Sequence, residues 1–283
     1  MAKQILFSDS QLLPAIGQGT WYMGEHAAHH TDEVNALRAG IDLGLTLIDT
    51  AEMYANGSAE KVVGEAISGR RDEVFLVSKV YPWNAGEQSA ITACENSLKR
   101  LKTDYLDLYL LHWRGDIPLE ETVSVMQHLV AQGKIRRWGV SNLDYSDMQE
   151  LCNVAGGHEC ATNQVLYHLA SRGIEYDLLP WSQQQRMPVM AYCPLAQAGR
   201  LRSGLMNHPV LNQLANHKGA TVAQLLLAWV IHHDSVIAIP KAGTVAHVKE
   251  NAAALEIELS QEEIELMEKA FPAPGRKTPL DMV

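Results

Sequence analysis

The stretch Val-Phe-Leu-Val-Ser-Lys at residues 74–79 is a short apolar run that ends on a lysine. Its β-branched and aromatic content is typical of a buried strand. Two further apolar runs end on a reactive side chain in the same way: Leu-Thr-Leu-Ile-Asp at 45–49 and Tyr-Leu-Asp-Leu-Tyr-Leu-Leu-His at 105–112. Segments with helical spacing separate the runs, which predicts a parallel sheet. Since the carboxyl ends of parallel strands share one rim, we expect Asp49, Lys79 and His112 to lie together.

The alternation of apolar runs and helical segments extends along most of the chain. Strands are predicted at about 15–19, 45–49, 74–79, 106–112, 136–141, 161–165, 188–192 and 235–239. Capping-box patterns mark the starts of two helices, at Thr221–Gln224 and Ser260–Glu263. Residues 4–7 and 11–16 predict a short hairpin ahead of the first of these strands, with its turn at 8–10.

Eight strand–helix units with short connections favour a closed (β/α)8 barrel, with the N-terminal hairpin closing its bottom. The main alternative is a doubly wound open sheet, which normally carries a glycine-rich phosphate loop after its first strand. Residues 15–24, Ala-Ile-Gly-Gln-Gly-Thr-Trp-Tyr-Met-Gly, do not match that motif. No linker or fixed-period repeat divides the chain, so we expect residues 1–283 to form a single barrel domain.

The composition narrows the class of protein. With 283 residues, 47% of them hydrophobic, the chain can bury one sizeable core. A formal charge of −10 without a basic stripe argues against binding to nucleic acid. Four cysteines without the spacing of a disulfide framework are typical of reduced thiols in a cytosolic protein. The sequence has no cluster of residues at metal-ligand spacing, so we expect no metal site. Without an export signal or an apolar run of ~20 residues, we expect a cytoplasmic protein that does not enter a membrane.

Tyr54 follows Asp49 after a short loop and completes a set of four reactive side chains. A free phenol titrates near pH 10 and gives up its proton reluctantly. Lys79 beside it would favour the phenolate, and Asp49 would keep that lysine charged. The arrangement suits a general acid that protonates an oxygen as negative charge develops there. His112 could donate a hydrogen bond to the same oxygen.

The four side chains include neither a nucleophile nor a metal site. Protonation of a carbonyl oxygen is useful only if another group attacks the carbon, and a bound hydride donor is the natural candidate. An aldolase on the same barrel would need a Schiff-base lysine or a metal. Lys79 suits that role poorly if Asp49 keeps it charged.

Six motifs resemble those of the aldo-keto reductases, in that family's order and at its spacing. They are 49–54, 78–79, 110–113, 139–142, 163–164 and 239–241. The resemblance covers about residues 10–270, and the chain looks most like the bacterial members that reduce methylglyoxal and similar small aldehydes. It implies a catalytic tetrad in which Tyr54 is the proton donor, with Asp49, Lys79 and His112.

The resemblance also implies binding residues. The matching cofactor positions are Thr20, Ser141, Asn142, Gln164, Tyr192, Leu195, Lys241, Thr244, His247 and Asn251. Within this set, the amide and hydroxyl side chains at 141, 142 and 164 match those that hold the nicotinamide carboxamide, and Tyr192 matches the aromatic that stacks on the ring. The tryptophans Trp21, Trp83 and Trp113 are expected either to wall an apolar substrate pocket or simply to cover the barrel mouth.

Two departures from the family pattern affect the choice of cofactor. The usual Lys-Ser pair appears as Lys241-Ala242, and His247 stands where an arginine commonly contacts the adenine or the 2′-phosphate. Histidine lacks the planar fork that suits a phosphate. Lys241 remains as a phosphate partner, so we expect NADPH to be the cofactor, with NADH possible but weaker.

The expected substrate is a small aldehyde or dicarbonyl. After Asn251 the sequence offers one helix, at about 261–270, and then only residues 271–283, so a long loop that would enclose a steroid is absent. Reduction of a keto-sugar acid and a non-catalytic NADP(H)-binding regulatory subunit remain alternatives. We expect a monomer whose partner is the small-molecule substrate.

Overall fold

The computed structural model describes residues 3–7, 11–197 and 199–283. The chain begins with an antiparallel hairpin of β1 (Gln4–Leu6) and β2 (Leu12–Pro14), which confirms the predicted hairpin. Its expected turn at 8–10 lies outside the described residues. The parallel strands follow: β3 (Gln18–Gly19), β4 (Leu47–Asp49), β5 (Phe75–Val80), β6 (Leu108–Leu111), β7 (Trp138–Ser141), β8 (Asn163–Leu166), β9 (Val189–Tyr192) and β10 (Val236–Ala238).

Helices connect these strands on the outside of the sheet and continue after the last of them. They are α1 (His30–Asp42), α2 (Ser58–Ala66), α3 (Glu87–Leu101), α4 (Leu119–Ala131), α5 (Tyr145–Asn153), α6 (Leu178–Gln184), α7 (Arg200–Met206), α8 (Pro209–Lys218), α9 (Val222–Val230), α10 (Val245–Ala253) and α11 (Gln261–Ala270). Both predicted capping boxes are present, at the starts of α9 and α11. Among the helices of the described ranges, none is long and apolar enough to cross a membrane.

The sheet closes on itself as a barrel. Its strands pair in consecutive order from β3 to β10, without the reversal that defines a doubly wound sheet. The backbone N–H of Gly17 donates to the carbonyl of Ala238 at 2.8 Å, and that of Gly19 to the carbonyl of Pro240 at 3.0 Å. These bonds join the first parallel strand to the last, so the predicted (β/α)8 barrel is confirmed.

The hairpin packs at the amino ends of the strands, opposite the rim that carries the reactive residues. The ring of Phe7 lies 5.5 Å from that of Phe75, the first residue of β5, in an edge-to-face contact. Lys3 donates to the carbonyl of His232, shortly before β10. The hairpin therefore covers the bottom of the barrel, as predicted. That residues 1–283 form one domain stays a prediction.

Barrel closure depends on a glycine where β3 meets the chain after β10. A methyl group at Gly19 would lie 2.6 Å from the carbonyl oxygen of Ile239, closer than real contacts allow. Gly19→Ala should therefore lower the free energy of unfolding by roughly 1–3 kcal/mol, the cost usual for overpacking. Urea denaturation measures this change.

Gly204→Ala in α7 is the matched control, because the added methyl has no neighbour within 4 Å. Alanine favours a helix over glycine by up to ~1 kcal/mol, so this variant should be as stable as the parent or more stable. Equal unfolding free energies for the two variants would contradict the steric explanation of closure.

Candidate active site

Register in the barrel brings the predicted reactive side chains to one rim. Asp49 ends β4 and pairs with Val77 of β5, two residues before Lys79. His112 comes directly after β6, and its backbone N–H donates to the carbonyl of Val80 at 3.0 Å. The apolar runs thus form strands because they are buried on both faces, and their last residues are the ones that reach the rim.

A buried ion pair forms the centre of this rim. The Lys79 ammonium donates to both carboxylate oxygens of Asp49, at 2.8 and 2.7 Å, and to the carbonyl of Thr50 at 2.9 Å. Its distance to the hydroxyl of Tyr54 is 3.1 Å. Lys79 is fully buried and Asp49 is 2% exposed, so water does not screen the pair. The predicted relay from carboxylate through ammonium to phenol is present as an unbroken chain of contacts.

Burial shifts the proton equilibria of this chain. It lowers the pKa of Lys79 below its ordinary value, while the charge of Asp49 acts in the opposite direction. Burial, and then the charge of Asp49, raise the pKa of Tyr54 well above its ordinary value. Tyr54 therefore keeps its proton at neutral pH, as a proton donor must. The contact with the Lys79 ammonium is the one that favours the phenolate when the proton leaves.

His112 lies beside the phenol as a neutral imidazole. The rings of Tyr54 and His112 are 5.8 Å apart and nearly perpendicular. Burial, and then the charge of Lys79, lower the pKa of His112 to about 2. A neutral imidazole carries one N–H donor and one acceptor nitrogen. The ring can therefore donate a hydrogen bond to an oxygen near Tyr54 without carrying a full charge.

A buried amide connects the ion pair to the opposite side of the barrel. Gln164, in β8, donates through its Nε2 to a carboxylate oxygen of Asp49 at 2.8 Å. Ser141, at the end of β7, donates its hydroxyl to the backbone carbonyl of Gln164 at 2.8 Å. Thr20 donates its hydroxyl to the carbonyl of Asp49 at 2.9 Å. Three of the predicted cofactor positions are thus fixed by hydrogen bonds at the rim.

Asn142 links two further predicted positions. Its amide nitrogen donates to the backbone carbonyl of His112 at 3.2 Å, and its amide oxygen accepts from the hydroxyl of Tyr192 at 2.8 Å. Its φ angle of +58° lies in the left-handed region, which asparagine adopts more readily than most residues. The turn after β7 is therefore built so that this carboxamide points back over the rim.

These groups open onto a cavity of about 260 Å³. The predicted site residues that line it are Thr20, Trp21, Asp49, Tyr54, His112, Trp113, Ser141, Asn142, Gln164, Tyr192, Leu195 and Lys241. Lys79 does not line the cavity and acts on it through Tyr54. The candidate site thus combines a proton donor, a neutral hydrogen-bond donor and apolar walls in one concave surface.

The structure does not bring every predicted binding residue into the lining. Trp83 is 62% exposed and stacks on Tyr81, with its ring 5.7 Å from that of Trp113, so it lies beside the cavity. Thr244, His247 and Asn251 lie on α10 or at its start, beyond Lys241. Their assignment to the cofactor stays a prediction.

Several lining residues were not predicted: Tyr22, Met53, Cys193, Pro194, Ala196, Arg202, Met282 and Val283. Cys193 could have been found, because it follows Tyr192 at a strand end. Arg202 lies on α7 and donates to the carbonyls of Leu195 and Ala196. Met282 reaches the cavity because the chain after α11 returns across the barrel rim, a path that no local pattern indicates.

The lining fits a nicotinamide dinucleotide. Flat aromatic and amide groups, from Tyr192, Asn142 and Gln164, suit a ring that carries a carboxamide. Two cationic side chains, Arg202 and Lys241, line the same cavity and suit phosphates. The N-terminus of α10 follows Lys241 in the chain, outside the lining, and carries backbone N–H groups of the kind that bind anions. Within the described ranges, no three His, Cys, Asp or Glu side chains come together to hold a metal.

Comparisons with known proteins agree with this chemistry. The model of the aldo/keto reductase family matches residues 15–271. The methylglyoxal reductase YeaE of Escherichia coli is 69% identical over 281 residues, which are 99% of each chain. A glyoxal reductase of Bacillus subtilis is 36% identical over 89% of this chain and 87% of its own. An aldo/keto reductase of Klebsiella pneumoniae, solved in complex with NADP and acetate, is 67% identical, with a TM-score of 0.98 and full coverage of both chains.

The neutral state of His112 can be measured directly. Its imidazole resonances, assigned by comparison with His112→Asn, should not move between pH 5 and 9, because its pKa is lowered to about 2. The rings of the buried His168 and the half-buried His233, each with a pKa lowered to about 4, should begin to shift before that of His112 on acidification. NMR titration of the histidine side chains gives this order. A His112 inflection near pH 6.5, as for an ordinary imidazole, would contradict it.

Proposed function

Since this chain belongs to the aldo/keto reductase family, we propose that it reduces small reactive aldehydes and dicarbonyls such as methylglyoxal, with NADPH as reductant. The observation that carries this proposal is the chain from Asp49 through Lys79 to Tyr54, which opens with His112 onto the cavity. The names of the YeaE and glyoxal reductase relatives support the choice of substrate class.

In the proposed reaction, the bound cofactor supplies a hydride to the carbonyl carbon. Tyr54 donates its proton to the carbonyl oxygen as negative charge develops there. The Lys79 ammonium, 3.1 Å from the phenol oxygen, stabilises the phenolate that remains, and Asp49 holds that ammonium in place. His112 donates a hydrogen bond to the same carbonyl oxygen and orients the substrate.

The proposed cofactor site extends from the rim to α10. Ser141, Asn142 and Gln164 would hold the carboxamide, and Tyr192 would stack on the ring. Lys241 would meet the 2′-phosphate as a point charge, which is why we expect NADPH to bind more tightly than NADH. The NADP-containing Klebsiella pneumoniae structure supports this choice.

The proposed substrate pocket is apolar and small. Trp21 lies 6.4 Å from the ring of Tyr54, and Trp113 packs against His112 at 5.0 Å. Apolar walls discriminate weakly between similar small molecules, so reactivity of the carbonyl should govern efficiency more than shape. The reduction of a keto-sugar acid remains the second candidate, supported by 29% identity to the solved structure of a putative 2,5-diketo-D-gluconic acid reductase B. Cytoplasmic location and a monomeric state stay predictions.

Oxidation of NADPH, followed at 340 nm with methylglyoxal, tests the proposed activity. Tyr54→Phe should lower kcat by at least ~10²–10⁴-fold, the range for loss of a general acid, because the phenol is the proton donor. Cofactor affinity, measured by fluorescence titration, should change little. Tyr176→Phe removes the same hydroxyl from a half-exposed tyrosine outside the cavity and should leave kcat unchanged.

Near-normal turnover of Tyr54→Phe would refute its role as proton donor. If neither methylglyoxal nor other small dicarbonyls were reduced by the parent enzyme but NADPH still bound, the non-catalytic regulatory subunit would be favoured. Higher efficiency with a keto-sugar acid than with every small dicarbonyl would favour the second candidate.

The phosphate role of Lys241 gives a separate test of cofactor choice. Lys241→Met should weaken NADPH binding by roughly 10-fold or more, the loss expected for a charged hydrogen bond, and should hardly affect NADH. His247→Arg should strengthen NADPH binding, because guanidinium is better matched to a phosphate than imidazole. Fluorescence titration of both cofactors measures these changes.

Lys249→Met removes the same formal charge from an exposed position on α10 that does not line the cavity. It should leave the affinity for both cofactors unchanged. An equal loss of NADPH and NADH affinity in Lys241→Met would mean that the lysine does not meet the 2′-phosphate.

A further inference from the structure

A second carboxylate lies behind the ion pair, outside the cavity. Glu60, on α2, is fully buried, although isolated carboxylates are rarely found without solvent. Its carboxylate accepts hydrogen bonds from the hydroxyl of Ser78, at 2.7 Å, and from the guanidinium Nε of Arg100, on α3. It touches no residue of the cavity lining through these bonds, so the proposed chemistry does not by itself explain its presence.

Strand geometry places Glu60 opposite Lys79. Ser78 and Lys79 are consecutive in β5, and consecutive side chains of a strand point to opposite faces of the sheet. Lys79 points into the barrel towards Asp49, and Ser78 points outward to α2, where it meets Glu60. The Glu60 carboxylate and the Lys79 ammonium therefore lie on opposite faces of the barrel wall, attached at or in contact with neighbouring residues of β5.

Burial makes this arrangement electrostatically effective. Ser78, Lys79 and Glu60 are all fully buried, so charge interactions between them are much stronger than in water. Arg100, which pairs with Glu60 on the outer side, is 23% exposed in its side chain and is partly screened by solvent. The positive charge of Arg100 therefore offsets the field of Glu60 at Lys79 only in part.

The other titratable groups around the two residues are neutral or already paired. Inside the barrel, Lys79 faces Asp49, the protonated Tyr54 and the neutral His112. Outside the barrel, Glu60 also influences two groups of other elements, the Cys94 thiol and the Tyr109 phenol, whose pKa values burial raises. Glu60 is thus the second anion that acts on Lys79, after Asp49.

We propose that Glu60 is a positioning residue that acts through the barrel wall to keep the Lys79 ammonium charged. Inside the barrel, Asp49 and the carbonyl of Thr50 offset the cost of burying that ammonium, and Glu60 supplies additional negative potential without occupying the cavity. The consequence for turnover rests on the proposed reduction, whereas the charge on Lys79 can be measured without substrate or cofactor.

Titration of Lys79 by NMR provides the first test. The protein is labelled with ¹³C-lysine, and the Lys79 ε-carbon is assigned by its loss in Lys79→Arg. Glu60→Gln keeps the shape and the contact with Ser78 but removes the charge, so it should lower the pKa of Lys79 by about half a unit or more. Ser78→Ala removes the contact but keeps the charge, and should leave that pKa within about 0.2 units of the parent value.

A purely structural role for Glu60 predicts a different pattern. If Glu60 only held β5 against α2, Ser78→Ala, which breaks the contact, would change the pKa of Lys79 at least as much as Glu60→Gln, which keeps it. That outcome would overturn the proposal. Glu60→Gln also leaves Arg100 without its anionic partner, and this could prevent folding. The double variant Glu60→Gln/Arg100→Gln removes both charges and avoids that problem. It should still lower the pKa of Lys79, and a parent-like value would overturn the proposal.

The pH dependence of kcat with NADPH and methylglyoxal gives the second test. The alkaline limb of the kcat–pH profile should move to lower pH in Glu60→Gln and in the double variant. It should not move in Ser78→Ala, because Lys79 loses its proton at a lower pH only when the negative charge of Glu60 is removed. An unmoved limb in both charge-removing variants, with active enzyme, would overturn the role in turnover. If the parent enzyme did not turn over, the proposed function would fail, and the NMR titration would still decide the electrostatic role of Glu60.

Discussion

The buried ion pair between Lys79 and Asp49 is the interaction on which the rest of the site depends. Removing each ion from water costs several kcal/mol, and only complete hydrogen bonding offsets that cost. Lys79 is satisfied by Asp49 and by the carbonyl of Thr50, with Tyr54 as its remaining neighbour. Gln164 reaches Asp49 from the far side of the barrel. Removal of either ion would leave the other buried and unpaired, which would lower the free energy of unfolding by ~3–5 kcal/mol. The site is therefore also a structural element of the core.

The Lys79 ammonium and the two neutral hydrogen-bond donors lie at different depths in this site. The ammonium of Lys79 lies below the cavity surface, whereas Tyr54 and His112 line the cavity as neutral hydrogen-bond donors. A carbonyl oxygen that enters therefore meets donors that bind it weakly in its ground state. The hydrogen bonds from these donors strengthen as negative charge develops on that oxygen. Interactions that are stronger in the transition state than in the ground state lower the activation barrier, whereas equal interactions only hold the substrate.

The local sequence pattern was sufficient to predict the barrel fold and the reactive residues at its rim. Apolar runs predict strands, and the carboxyl ends of parallel strands lie at one rim. The local pattern was not sufficient where distant segments return to the site. Met282 lines the cavity because the tail is held by contacts such as that between Ser171 and Asp281, which are 110 residues apart. Trp83 shows the opposite case: it follows a strand, but the turn Pro82–Asn84 stacks it on Tyr81 beside the cavity. Such outcomes are set by tertiary packing, which sequence spacing does not encode.

Closure of the barrel also constrains how the chain folds. Ile16 pairs with Ala238, so the ring can be completed only after most of the chain is available. Until then, β3 and the most recently formed strand each present unpaired N–H and C=O groups, which are templates for association with other chains. Loop-closure entropy makes such long-range pairing slow. During synthesis, therefore, the last strand to emerge removes both exposed edges at once, and a chain arrested before β10 would be prone to aggregation even though most of its strands had formed.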